Sequence, residues 1–118
     1  MRHTVRFRET LRKLTMIDEG FVEDQSGLRL GLPGFRLDPK TAALARVGAV
    51  VAIGAPGVCL EWSTTAALAA GATEDEITGV LLAIAPVAGL GRVTGAVPHV
   101  AAALGYDVDA ALLDPEDH

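Results

Sequence analysis

One cysteine in 118 residues, Cys59, leaves no partner for an intramolecular disulfide and suits a reducing compartment. Aromatic side chains are almost as scarce: three Phe, Trp62 and Tyr106. A core without ring stacking must come from close approach of small side chains, and Ala, Val, Leu and Gly dominate a chain that is 50% hydrophobic. Positive charge is also short. Ten Lys and Arg against 15 Asp and Glu give a formal net charge of −5. A nucleic-acid partner needs a basic stripe that displaces counterions, so none is expected. Long apolar runs are missing too. The longest uncharged run, Val47 to Leu60, has the length of a core helix rather than a bilayer span, and Gly54, Pro56 and Gly57 interrupt it. Met1 to Arg8 is basic, but charged residues Glu9, Arg12 and Lys13 follow where a secretory signal would be apolar. The expectation is a soluble, cytoplasmic protein with no membrane and no nucleic-acid partner. No His, Cys and Asp stand together at ligand spacing, so no metal site and no cofactor are expected.

What is present is helical patterning, and no alternating strand pattern of useful length accompanies it. In the segment Thr10 to Val22, Leu11, Leu14, Ile17, Phe21 and Val22 fall on one face, with Arg2, Arg6, Arg8, Arg12 and Lys13 read with Glu9 as a solvated face. Gly27 to Pro33 reads as a loop. Asp38 before Pro39 offers an N-cap and a first helical residue, and that helix should run to about Ile53 and stop at Gly54. It is apolar nearly all round after Arg46, which predicts the most buried helix of the chain. A Pro56-Gly57 turn opens the next helix, Val58 to Ala70, and Gly71 closes it. Thr73 with Glu76 forms a capping box for a helix to Gly89, which Pro86 should end or kink. A last long helix is expected over about Arg92 to Leu104, kinked near Pro98, then a short one from Val108 to Leu113 after Asp107. The organisation is one all-α domain over 1–118, with helices over about 4–30, a core over about 37–105 and an acidic tail at 114–118. Two core hairpins follow, Asp38–Ala70 and Thr73–Leu104. Small domains bury a limited area, and this many apolar positions predict a subunit interface.

Three stretches taken together resemble a known family: Leu37-Asp38-Pro39-Lys40-Thr41, Gly57-Val58-Cys59-Leu60-Glu61-Trp62-Ser63, and Ala66-Ala67-Leu68-Ala69-Ala70-Gly71-Ala72-Thr73-Glu74-Asp75-Glu76-Ile77. Their order is similar to that of the carboxymuconolactone decarboxylase / alkyl-hydroperoxidase D-like proteins. The resemblance implies an all-α helical bundle that assembles as a homotrimer or hexamer. Its peroxidase branch carries a Cys-x-x-Cys pair, a His four residues later and an upstream Glu. On this chain those positions fall at Pro56 and Cys59, at Ser63 and near Ala43. A single thiol cannot form its own resolving disulfide. The decarboxylase branch keeps the His at the Ser63 position, where its proton transfer is likewise unavailable.

The candidate residues divide into acid–base and binding groups. Cys59 near a helix start is either a one-cysteine peroxide sensor or a small core thiol. Glu61 supplies a proton or faces solvent. Ser63 occupies the family His position. His99, the histidine inside the core elements, is a substitute general base or a surface residue. Arg46 is the charge between Lys40 and Glu61 in a helix built for burial, and a buried cation needs a partner. With Arg92, Ser63 and Thr64 it would hold a small carboxylate, and Trp62 would wall the pocket; ion pairing across an oligomer is the alternative for the arginines. Gly89, Gly91 and Gly95 follow a helix rather than a strand, which rejects a dinucleotide loop. The function expected is a decarboxylase-like lyase acting on a small organic carboxylate or lactone, with its usual catalytic residues substituted. The alternatives are a thiol peroxidase of peroxiredoxin type using Cys59 and a non-catalytic oligomer that binds a small anion.

Overall fold

The computed structural model describes residues 2–16, 20 and 37–113. Every element among them is a helix, and none is long and apolar enough to cross a membrane. The chain divides after Asp38 into two units, and each is described by itself.

In the first unit, helix α1 spans Arg2–Thr15, close to the expected start of the N-terminal helices at about residue 4. Phe7, Leu11 and Leu14 are exposed on it. Arg12 donates to Glu9 through Nη2 at 2.7 Å and Nε at 3.3 Å, a forked pair one turn apart. The hydrogen bond from Arg12 holds the Glu9 carboxyl below its usual range. The anticipated positions Ile17, Phe21 and Val22, the loop Gly27 to Pro33 and the tail 114–118 lie outside the described residues.

The second unit contains α2 (Pro39–Ala52), α3 (Gly57–Ala69), α4 (Glu74–Ala88), α5 (Leu90–Ala103) and α6 (Val108–Leu113). Helix α2 packs chiefly on α3 and α4, and α3 packs chiefly on α2 and α5. It holds the most buried residues of any described helix: Ala42, Ala43, Val47, Gly48 and Val51. It is not buried all round, however. Ala45, Arg46 and Ala49 are exposed, so the expected buried cation is corrected: Arg46 lies on the outer face. Alanine gives no face to a hydrophobic pattern, because it costs little on either side of a helix.

Glycines stop the helices by one repeated device. At Gly54 (φ +68°) the Gly54 amide donates to Val51 O at 3.1 Å and the Ala55 amide to Val50 O at 3.0 Å. That is a Schellman motif, whose left-handed residue costs glycine no side-chain clash. The same pair of bonds recurs at Gly71, from Gly71 N to Leu68 O and Ala72 N to Ala67 O. The capping box is present: Thr73 Oγ1 accepts from the Glu76 amide at 3.0 Å, and Glu76 Oε1 accepts from the Thr73 amide at 2.9 Å. Pro86 does not end its helix: α4 runs through it to Ala88, and α5 runs through Pro98 from a start at Leu90, ahead of the expected Arg92. Each proline removes one helical donor, and the helices continue because the surrounding turns are held by packing. The core consists of Val47, Val51, Leu60, Ala67, Ile77, Leu81, Val100 and small alanines between them.

Candidate functional site

Helix α5 places Arg92, Gly95, Ala96 and His99 at i, i+3, i+4 and i+7, which is a single helix face. This face meets the turn that joins α2 to α3. Between them lies a cleft of about 220 Å³, lined from one side by Val51, Gly54, Ala55, Gly57 and Leu60 and from the other by Gly91, Arg92, Gly95, Ala96 and His99. Glycines make the cleft possible. A Cβ on Gly54 would overlap Nη1 of Arg92, so the guanidinium lies directly over the Schellman turn. A Cβ on Gly57 would overlap Cε1 and Nδ1 of the His99 ring, so the imidazole edge rests on the first turn of α3.

The charge pattern here is one-sided. The cleft contains a guanidinium and an imidazole, and no acidic residue lines it. Among the described residues, no carboxylate pairs with Arg92 and no hydrogen bond engages the His99 ring. The first turn of α3 adds the positive end of a helix dipole. Pro56 precedes it without a side-chain cap, while the Cys59 amide donates to Pro56 O at 2.9 Å and the Leu60 amide at 3.3 Å. The Gly57 and Val58 amides stand ahead of that bonding, at the positive end of the helix dipole. In a chain of net charge −5, this cleft has a guanidinium, an imidazole and a helix start in its lining and no carboxylate.

The other sequence candidates lie elsewhere. Thr64 is fully buried, its hydroxyl donates to Leu60 O at 2.8 Å, and it is not in the cleft lining. Ser63 is half-buried and donates to Cys59 O at 2.5 Å, so its hydroxyl is already committed to the backbone. Cys59 is half-buried and outside the cleft lining. Glu61 and Trp62 are exposed; the indole, 73% accessible, is not a cleft wall. Arg46 lies on the outer face of α2, away from the lining. Of the named candidates, Arg92 and His99 are the two brought together. Gly54 and Gly57 were read only as turn residues, and the Pro56-Gly57 pair gave no sign that a ring would lie on it.

A larger groove of about 600 Å³ runs along α4, α5 and the following turn, lined by Leu81, Val97, Val100, Leu104, Tyr106 and Val108. Glu74 and Thr78 supply its polar edge. It brings no cation or imidazole to bear on a ligand, so chemistry is better placed at the smaller cleft. Among the described residues, no three His, Cys, Asp or Glu are grouped to hold a metal ion.

The model of the Carboxymuconolactone decarboxylase family matches residues 34–106, well over half of the chain and every element that forms the cleft. The chain belongs to the carboxymuconolactone decarboxylase family. Comparisons with curated proteins and with solved structures give no match. As a carboxymuconolactone decarboxylase family member, the chain has Pro56 and Ser63 where the resemblance puts a second thiol and a histidine. The imidazole that does face the α3 start comes instead from α5, as His99.

Proposed function

We propose that this carboxymuconolactone decarboxylase family protein binds a small organic carboxylate or lactone in the α3–α5 cleft and acts on it as a lyase. The observation behind this is the joint presence of Arg92 and His99 in an acid-free cleft, with neither group engaged among the described residues. Arg92 offers the forked donor geometry that suits a carboxylate. The N-terminal end of α3 begins at Gly57 in the lining of the same cleft, and the helix dipole there favours negative charge. Val51, Leu60 and Ala96 supply an apolar floor for the ligand's carbon skeleton.

In the decarboxylation, the bond from carbon to the departing carboxylate breaks and carbon dioxide leaves. The electron pair passes into a conjugated carbonyl, forming a dienolate. The positive end of α3 opposes the charge that grows on its oxygen, which stabilises the transition state more than the ground state. The His99 imidazole then serves as the proton donor to the carbon, and water supplies the proton it gives up. The small cleft restricts the substrate to about one ring or a short unsaturated chain.

Thermal unfolding with benzoate tests the binding step. At ten times its dissociation constant, benzoate should add about 1.4 kcal/mol, a rise of roughly 6 °C for a domain this size. Neutral benzamide should give little shift, and Arg92→Gln should abolish the benzoate effect. Equal shifts with benzoate and benzamide, or an undiminished shift in Arg92→Gln, would remove the carboxylate assignment.

The protomer also exposes Val58, Trp62, Leu82, Val87 and Leu90, more apolar surface than an isolated subunit ordinarily leaves in water. Association into a homotrimer or hexamer is part of the proposal, and it would cover these side chains.

A further inference from the structure

Building on the carboxylate-binding proposal, we infer that Gly57 is a positioning residue that sets the place of the His99 imidazole in the cleft. The ring's Cε1 and Nδ1 occupy the space a Cβ at position 57 would take, and Nε2 would lie 3.0 Å from that carbon. Any side chain at 57 therefore lifts the imidazole off the first turn of α3. His99 is exposed, with open space on its outer side, so the ring can swing away without disturbing the core. The cost of the change falls on the site rather than on the fold.

Position 57 separates these two effects better than its neighbour does. Gly54 has φ +68°, so alanine there strains the Schellman turn as well as meeting Arg92. Gly57 is the first residue of α3 and has no positive φ. Alanine at that position suits a helix at least as well as glycine does. Gly91 and Gly95, on the facing wall, have no neighbour within 4 Å of a built Cβ and leave that side open. Gly57 therefore fixes one wall of the cleft and the place of its proton donor together.

The test uses the full chain and the variants Gly57→Ala, His99→Ala and the double variant. Nuclear Overhauser contacts between the His99 ring protons and the α-protons of residue 57 are read first, without ligand. The wild type should show them, and Gly57→Ala should lose them while its melting temperature stays level or rises. Benzoate binding is then read by calorimetry. Gly57→Ala should weaken it about tenfold, and the same substitution in the His99→Ala background should add less than twofold. Retained ring contacts in Gly57→Ala would overturn the positioning role. So would a tenfold loss that persists in the His99→Ala background. If the wild type shows the ring contacts but binds no benzoate, the carboxylate proposal fails while Gly57 still stands as the seat of His99.

Discussion

Glu76 makes two bonds with one carboxylate. Oε1 accepts from the Thr73 amide at 2.9 Å, and Oε2 pairs with Lys40 Nζ at 3.0 Å, joining the first turn of α4 to that of α2. The backbone hydrogen bond, followed by that from Lys40, holds the Glu76 carboxyl below its ordinary value of 4.5. A carboxyl lowered on folding leaves the native state with fewer bound protons than the unfolded chain in the acid range. Its contribution is thus present above the ordinary carboxylate range and lost as pH falls through the folded value. Urea unfolding midpoints should fall more steeply from pH 5 to pH 3 in wild type than in Glu76→Gln, which keeps an acceptor for Thr73 but cannot titrate. Parallel pH curves would show that the pair adds nothing. The capping box behind this prediction was legible from Thr73 and Glu76 alone, because its partners are three residues apart. The cleft was legible only in part. Arg92 and His99 could be named as candidates, but the ring of His99 meets Gly57 across 42 positions of sequence. No local pattern encodes that contact. The exposed places of Arg46 and Trp62 were not legible for a related reason: a helix rich in alanine does not reveal which face is inside.

Close packing of α2 on α4 depends on one missing side chain. A Cβ built on Gly48 would stand 3.3 Å from Val80 Cγ1 and 3.4 Å from Ile84 Cγ2. Gly48→Ala should therefore be nearly neutral in chemical denaturation. The helix-propensity gain of about 1 kcal/mol opposes the tight contact with two branched side chains. Gly48→Leu cannot be absorbed in this way and should destabilise by about 2 kcal/mol. Equal midpoints for the two variants would mean that α4 yields to α2 and that Gly48 does not set their spacing. The element order and most boundaries were readable from glycine stops, the Asp38-Pro39 start and the capping box. These signals act within one turn, which is why they survive without tertiary information. Pro86 was read as an end or a kink and Pro98 as a kink from the same local logic, and both lie inside continuing helices. There the local cost of a missing donor is outweighed by burial of Leu81 and Ile77 in α4 and of Ala96, Val100 and Ala101 in α5.

At the scale of the molecule, the contrast is between a core of small residues and a surface with large ones. Alanines and valines make up much of the interior, while Val87 is 91% and Leu90 73% exposed on either side of the α4–α5 junction. Burying two such side chains in an interface would contribute about 1.5–3 kcal/mol each, enough to favour association when several act together. Charge does not oppose this at the junction, where Pro86-Val87-Ala88-Gly89-Leu90-Gly91 has no ionisable side chain. Light scattering coupled to size exclusion should therefore give wild type a mass three or six times the 12.2 kDa of one chain. Val87→Glu with Leu90→Glu should shift the population toward the single-chain mass. Helical circular dichroism should be unchanged, since both positions already face water in the protomer. Trp62 gives a second reading, as the chain's one indole and 73% exposed in the protomer. Its emission should be blue in the assembly and move to the red on dissociation if α3 shares the interface. A wild-type mass of 12.2 kDa across micromolar concentrations would refute association and leave these side chains as surface. A multimer unaffected by the double substitution would place the interface away from the α4–α5 junction, with Trp62 emission reporting whether the α3 face takes part.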